Sequence, residues 1–335
     1  MKNDSPTILV VKYRALGDSV MGLSTISYLR SIYPNSKIYY GIRDWTAKLY
    51  SEVQTDADGI IPITIEKLSD YYKLYKVLKR LEIDHVHELH LSGRTKKFFT
   101  LFKYILGFKY TFHNHHEKFG DVIDQGLIKP LIQRDLDGAY SYLGQNRAIP
   151  TFLDFEPSFN HLKKDEHNRV IFGVVATRET KMWAMQSYVE LAALIKKENP
   201  DTQIIVPLSN SLEDKKIEGE VTKLDVEGNL EVVRIPLEKL PKYFADSKLY
   251  IGNDTGLKHI AIASGIKSYT LFGPEPPNEW HPYSEQRHPF FYIEGLECRT
   301  RKAHYCGLST CDSMICMSMT SPSHVYNEIK KELSK

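Results

Sequence analysis

Three short segments gather residue types that can move a group from a phosphate onto an oxygen nucleophile. The first is Arg14-Ala15-Leu16-Gly17-Asp18. Gly17 allows close approach of backbone to a ligand, and the Asp18 carboxylate is placed to take a proton from a hydroxyl, a base contribution of about 10²–10⁴ in rate. The plainer alternative is that Asp18 caps a helix starting at Ser19. The second segment, Ala176 to Trp183, offers a hydroxyl (Thr177), a guanidinium (Arg178) and an ammonium (Lys181). These are phosphate-binding groups, each worth about 1.5–3 kcal/mol when bonded to an ion. A solvated polar loop is the competing reading.

The third segment, Ile251 to His259, puts Asp254, Thr255 and Gly256 where a strand ends and a helix begins. Free N–H groups and the positive dipole end favour an anion there. Asp254 suits a ribose hydroxyl or backbone N–H groups better than a phosphate. His259, one turn in, reads equally as a structural histidine or a ligand contact. Leu271-Phe272-Gly273-Pro274 and then Glu275-Pro276-Pro277 form a rigid loop, either one wall of a site or a plain turn.

The elements that must carry these segments alternate. Thr7–Tyr13 predicts a strand, Ser19–Ile32 a helix, Lys37–Ile42 a strand, Trp45–Tyr50 a helix and Gly59–Ile63 a strand. A helix through Arg80, a strand His85–His90 and a helix Lys96–Leu106 follow. Residues Ile149 to Lys164 lack periodicity and sit where a linker falls. The alternation then restarts at Arg169, with helices at Met185–Glu198 and Asp214–Lys223 among the later elements and a last helix at His324–Leu333. The expectation is an α/β chain of two domains, 1–155 and 165–335. Each has a parallel sheet covered by helices, with the sheets facing across a cleft that binds ligand at their carboxyl ends.

Composition narrows the classes. At 335 residues two domains are the ordinary arrangement, and 42% hydrophobic with 26% charged residues is a globular balance. A formal net charge of +2 disfavours nucleic acid as partner. The apolar run Ile8–Val11 is too short for a secretory signal, and no stretch reaches the length of a membrane span. Cys298, Cys306, Cys311 and Cys316 are clustered rather than spread as in a disulfide scaffold, which points to a reducing, cytoplasmic location. Their spacing is looser than that of zinc sites even with His304 nearby, so they read as free or locally packed thiols. Asp56-Ala57-Asp58 and Asp135-Leu136-Asp137 spell D-x-D, and His113–His116 resembles a metal tract, but short polar loops explain each; no metal and no cofactor is expected. The lysine-edged apolar helix Lys96–Leu106 could rest on an anionic membrane surface, and a core helix with solvated lysines is the simpler alternative.

In this order, Ile8–Asp18, the T-x-x-x-K-x-W run Thr177–Trp183, the D-T-G-x-x-H run Asp254–His259 and Leu271–Pro274 resemble the segments of glycosyltransferase family 9, the heptosyltransferases of lipopolysaccharide assembly. The resemblance covers most of the chain and implies a GT-B fold and inverting, metal-independent transfer of a sugar from a nucleotide diphosphate, ADP-heptose in the family, to a glycolipid or glycan acceptor. It implies Asp18 as general base. Gly17, Thr177, Arg178, Lys181, Asp254, Thr255 and Gly256 would hold the donor, with His259 supporting that wall. Arg14, Arg94 and Lys96 are candidates for acidic groups of the acceptor, and peripheral contact at the inner face of the cytoplasmic membrane would accompany a glycolipid. Glu275-Pro276-Pro277 and Leu257-Lys258 depart from the family pattern. A nucleotide-sugar epimerase of the same architecture and a non-catalytic nucleotide-sugar binder are the alternatives.

Overall fold

A computed structural model describes residues 5–113, 118–119, 122–123, 129–162, 164–299, 306, 308 and 310–334. The chain divides into two compact units, Met1–His161 and Leu162–Lys335.

In the first unit the strands are β1 (Ile8–Lys12), β2 (Ile38–Arg43), β3 (Gly59–Ile63), β4 (His85–Glu88) and β5 (Lys109–Phe112). The helices are α1 (Leu16–Met21), α2 (Leu23–Ile32), α3 (Asp44–Ala47), α4 (Leu68–Leu81), α5 (Gly93–Leu106) and α6 (Leu131–Leu143); β6 (Lys118–Phe119) and β7 (Val122–Ile123) form a short antiparallel pair. The main sheet runs β3-β2-β1-β4-β5 and every pairing is parallel. Central β1 is buried along its whole length because helices cover both faces, which is why it reads as an unbroken apolar run rather than an alternation. On one face Leu9, Val11, Ile63 and Val86 pack with Leu74 and Leu78 of α4 and Phe98 and Phe99 of α5.

The second unit has β8 (Arg169–Gly173), α7 (Met185–Glu198), β9 (Gln203–Pro207), α8 (Leu212–Leu224), β10 (Glu231–Val233), α9 (Leu240–Ala245), β11 (Leu249–Asn253), α10 (Gly256–Ala263) and β12 (Lys267–Leu271). It ends with α11 (Pro277–Trp280), β13 (Phe290–Phe291), α12 (Ile315–Ser318) and α13 (Pro322–Leu333). Its sheet, β10-β9-β8-β11-β12-β13, is again wholly parallel. Helix α13 packs on α7, burying Val325, Ile329 and Leu333 in the same core as Phe172 and Trp183. The C-terminal helix and the two parallel sheets are thus present.

Two local readings are corrected. The expected helix Ser19–Ile32 starts three residues earlier and is broken at Gly22, which ends α1 and begins α2. The break accommodates Tyr40, whose hydroxyl donates to the Ser19 carbonyl at 2.7 Å and would clash with a Cβ at position 22. Asp135-Leu136-Asp137 is not a loop but lies inside α6, with both carboxylates buried. Asp56 and Asp58 serve structure: Asp58 accepts from the Arg30 guanidinium and the Ile38 N–H, and Asp56 from Asn160.

Candidate functional site

In the second unit the residues singled out from the sequence converge where β8 and β11 end. Asn253, the last residue of β11, is fully buried and holds the two segments together. Its Oδ1 accepts the Trp183 N–H at 2.9 Å and the Tyr188 hydroxyl at 3.2 Å, and its Nδ2 donates to the Val174 carbonyl at 2.7 Å. The strands come close because Gly173 and Gly252 lie side by side; a Cβ on Gly252 would be 2.6 Å from the Gly173 carbonyl. The turn bearing Lys181 is thereby fixed against the start of α10.

At that junction lies a cluster of five charges. Asp254 is buried between two ammonium groups, Lys258 Nζ at 2.5 Å and Lys181 Nζ at 2.8 Å. Burial alone would raise the Asp254 pKa, but the Lys258 and Lys181 charges outweigh it and hold the carboxyl well below its ordinary range. Lys258 also donates to the Trp280 carbonyl at 2.9 Å. Burial opposes the charge on Lys181 too, yet the Asp254 and Glu275 carboxylates raise its pKa. Arg178 is ion-paired to Glu275, whose second oxygen lies 3.8 Å from Lys181. Three cations face two carboxylates, so the cluster keeps one net positive charge. Thr255 stands at the N-cap of α10 without a side-chain cap bond, leaving the first-turn N–H groups for another acceptor.

Asp254 therefore serves to neutralise and position lysines, a role the segment did not reveal. His259 is a buried structural residue: its Nδ1 bonds the Tyr283 hydroxyl, and burial, reinforced by Lys258, drives its pKa far down so that it stays neutral. Lys258 and Glu275, seen in the sequence only as departures from a family pattern, belong to the cluster. The i, i+4 spacing of Asp254, just before α10, and Lys258 in its first turns was the available signal for the first; nothing local marked the second, whose partners are 97 and 94 residues away.

Beside this cluster a cavity of about 550 Å³ is bordered by Thr177 and Arg178 and walled by Met182, Trp183, Met185, Met314 and Met317, and its lining also carries Lys216 and the carboxylates Glu179, Glu213, Asp214 and Glu220. The methionine and tryptophan side chains form an apolar wall suited to a flat ring, and Arg178 offers a cation to an anionic tail.

In the first unit Asp18 lies in the first turn of α1 and is half-buried; the N-cap is Ala15, so Asp18 is not the cap. Gly17 is buried within α1 rather than in the turn itself. Lys12, ending β1, is fully buried with its ammonium 2.8 and 2.6 Å from the two Asp135 oxygens, tying α6 to the sheet. A cavity of about 990 Å³ is bounded by Arg14, Arg43, Arg94, Lys97 and the single carboxylate Glu66, with Tyr13 and Tyr71. Its α5 edge is set by buried Glu88, which accepts from the Ser92 N–H at 3.1 Å and the Tyr110 hydroxyl at 2.6 Å. Burial raises the Glu88 pKa. Arg14 and Arg94 thus meet on one cavity. Lys96 does not join them: its ammonium lies 5.5 Å over the Phe112 ring, and the next residue, Lys97, takes the place expected of it.

Among the described residues no group of three or more His, Cys, Asp or Glu is arranged to hold a metal. The four cysteines are unpaired, with Cys298 exposed. Of the histidines singled out from the sequence, His115, His116 and His304 lie outside the described residues. No described helix is long and apolar enough to cross a membrane.

Residues 126–306 match the family model for glycosyltransferase family 9 (heptosyltransferase). Over 118 residues the chain is 31% identical to lipopolysaccharide heptosyltransferase 1 of Campylobacter coli, a match covering 34% of either protein, so that it spans about a third of that relative's length. Among solved structures it is similar to the E. coli ADP-heptose lipopolysaccharide heptosyltransferase II, at 21% identity over 98% of both chains with a TM-score of 0.76. It is also similar to E. coli heptosyltransferase WaaC with ADP, at 16% identity over 98% of both chains and a TM-score of 0.68. A family 9 glycosyltransferase from Veillonella parvula gives 0.74 at 16% identity, covering 100% of this chain and 99% of that one. At such identities the likeness establishes a shared fold, that of the GT-B heptosyltransferase structures.

Proposed function

The chain belongs to glycosyltransferase family 9, and from that premise we propose that it transfers a heptose from ADP-heptose to a hydroxyl of a lipopolysaccharide-type or other glycan acceptor, with inversion and without a metal. The observation that carries the reading is the position of Arg178, which borders the methionine-walled cavity and pairs with Glu275 in the charged cluster of Lys181 and Asp254.

In this reading the nucleobase enters the apolar slot. The diphosphate lies on Thr177, Arg178 and Lys181 and on the N–H groups of Asp254-Thr255-Gly256, with His259 keeping the wall in place through Tyr283. These groups stabilise charge that grows on the leaving diphosphate, and preorganised donors of this kind supply much of the rate in such displacements. Asp18 takes the proton of the acceptor hydroxyl as its oxygen bonds to the anomeric carbon. The bond from that carbon to the diphosphate breaks, ADP leaves with the electron pair, and the configuration inverts. Gly17 keeps the backbone beside Asp18 free of a side chain. Arg14 and Arg94, with Arg43 and Lys97, receive acidic groups of the acceptor in the first unit's cavity.

The test is incubation with ADP-heptose and a heptose-accepting core glycolipid, read by mass spectrometry and by the anomeric configuration of the product. A glycosylated acceptor with inverted linkage and one ADP per transfer supports the reading. Donor converted to another sugar nucleotide with no glycosylated acceptor replaces it with an epimerase, and a failure to bind ADP-heptose rejects it.

A further inference from the structure

Helices α4 and α5 lie side by side on the first unit and present an outer face that the core does not use. Inward, Tyr71 packs on Phe98 and Tyr75 on Phe102, at centroid distances of 5.4 and 5.5 Å. Outward, Tyr72 is 58%, Leu101 56%, Tyr104 80% and Ile105 59% exposed, and Tyr72 stacks on Tyr75. Leu101, Tyr104 and Ile105 fall on one stripe of α5 by their i, i+3, i+4 spacing, and Tyr72 of α4 reaches α5 through Tyr75, which packs on Phe102, the residue next to Leu101. Large apolar side chains exposed singly need no explanation, but a contiguous set on two adjoining helices does.

The charge around this set is one-sided. The two helices carry eight Lys and Arg and a single carboxylate, Asp70, a net +7 in a chain whose total is +2. Asp70 accepts the N–H groups of Glu66 and Lys67 at the start of α4, so it serves the helix end. Lys76 lies 4.4 Å over the Tyr72 ring and Lys103 4.8 Å over Tyr104, so ammonium groups border the aromatic residues directly.

We infer that the α4–α5 face is a docking surface for an anionic phospholipid bilayer, with Tyr72, Leu101, Tyr104 and Ile105 entering the interfacial layer and the surrounding lysines meeting headgroup phosphates. Tyrosine beside aliphatic residues suits the boundary between headgroups and acyl chains, and a basic rim supplies the attraction. A second copy of the chain is a poor occupant, since a two-fold contact through this face would set the ammonium groups of Lys76 and Lys103, which border Tyr72 and Tyr104, against those of the same lysines. The inference requires no particular sugar or acceptor.

Co-sedimentation of the full chain with phosphatidylcholine vesicles, with and without roughly a third phosphatidylglycerol, tests it. The expected result is binding to the mixed vesicles, weakened by salt, and little binding to phosphatidylcholine alone. The double variant Lys76→Gln/Lys79→Gln is expected to lower partitioning about twenty-five-fold, and Tyr104→Ser/Ile105→Ser about ten-fold or more, each with an unchanged circular dichroism spectrum and thermal midpoint because the positions are exposed. Wild-type protein that stays in the supernatant with anionic vesicles overturns the proposal. So do variants that bind as wild type, or variants whose loss of binding coincides with dissociation of a dimer in sedimentation velocity. Because the vesicles contain no glycolipid, this result is independent of whether the transferase reading holds.

Discussion

Asn253 and Trp183 are joined by a 2.9 Å hydrogen bond from the Trp183 backbone N–H to the asparagine Oδ1, across 70 residues of sequence. The bond ties the turn that carries Lys181 to the end of β11, immediately before Asp254, and the charged ends of Lys181 and Asp254 meet at 2.8 Å. Asn253→Ala leaves the buried Trp183 N–H without its acceptor. It is expected to cost about 1–3 kcal/mol in urea unfolding and to weaken ADP binding although position 253 is fully buried. Unaltered affinity and stability would show that the turn is held by other contacts.

Glu275 pairs with Arg178 and lies 3.8 Å from Lys181, so it competes for these cations with any anion they would bind. Glu275→Gln removes the competing charge and is expected to tighten ADP about ten-fold, while Lys181→Ala weakens it by a similar factor or more. Titration calorimetry of both variants checks the opposite signs; weaker binding in Glu275→Gln would mean that the carboxylate contacts the nucleotide itself.

Asp18→Asn preserves size and hydrogen-bonding reach but cannot accept the proton. Turnover is expected to drop by about 10²–10⁴ with ADP binding unchanged. Full turnover in this variant would end the assignment of Asp18 as base.

Four buried histidines set the response to acid. Burial pushes His85 down to about 4 and His281 to about 3, and drives His87 and His259 well below their ordinary value. A group whose folded pKa is depressed binds protons preferentially in the unfolded chain, so stability is complete above the unfolded value near 6.5 and falls as pH drops through it. His85 and His281 are each expected to cost roughly 2 kcal/mol between pH 7 and pH 5, and His87 and His259 to act in the same direction. Urea midpoints measured across that window should fall steeply, and a flat profile would show that these rings titrate in the folded protein as they do in the unfolded chain.

Gly22→Ala brings a Cβ against the buried Tyr40 hydroxyl and is expected to destabilise by about 1–3 kcal/mol while displacing α1 and Asp18. Tyr40→Phe, by deleting the hydroxyl, should recover part of the loss, so the double-mutant cycle should show favourable coupling. Strict additivity would locate the strain elsewhere.

The succession of elements was legible because parallel strands buried on both faces read as short apolar runs and their crossover helices repeat every three to four residues. Gly59–Ile63 and Met185–Glu198 have the bounds expected of them. Helix α6 was not legible. Arg134, Asp135 and Asp137 break its apolar pattern because they are buried, and the cation that permits this for Asp135, Lys12, is 123 residues away.

By itself the sequence determined the two α/β halves, the segments that converge in the second unit, and the family to which they belong, since strand and helix periodicity and strand-end turns are local properties of the chain. Only the tertiary structure decided what the charges do: Asp254 clamps two lysines, Glu275 holds the cations of the turn, His259 stays neutral, and Lys97 rather than Lys96 lines the basic cavity. The reason is physical. The state and task of an ionisable side chain depend on the dielectric and the partners around it, and those partners are brought together by packing between residues far apart in the chain.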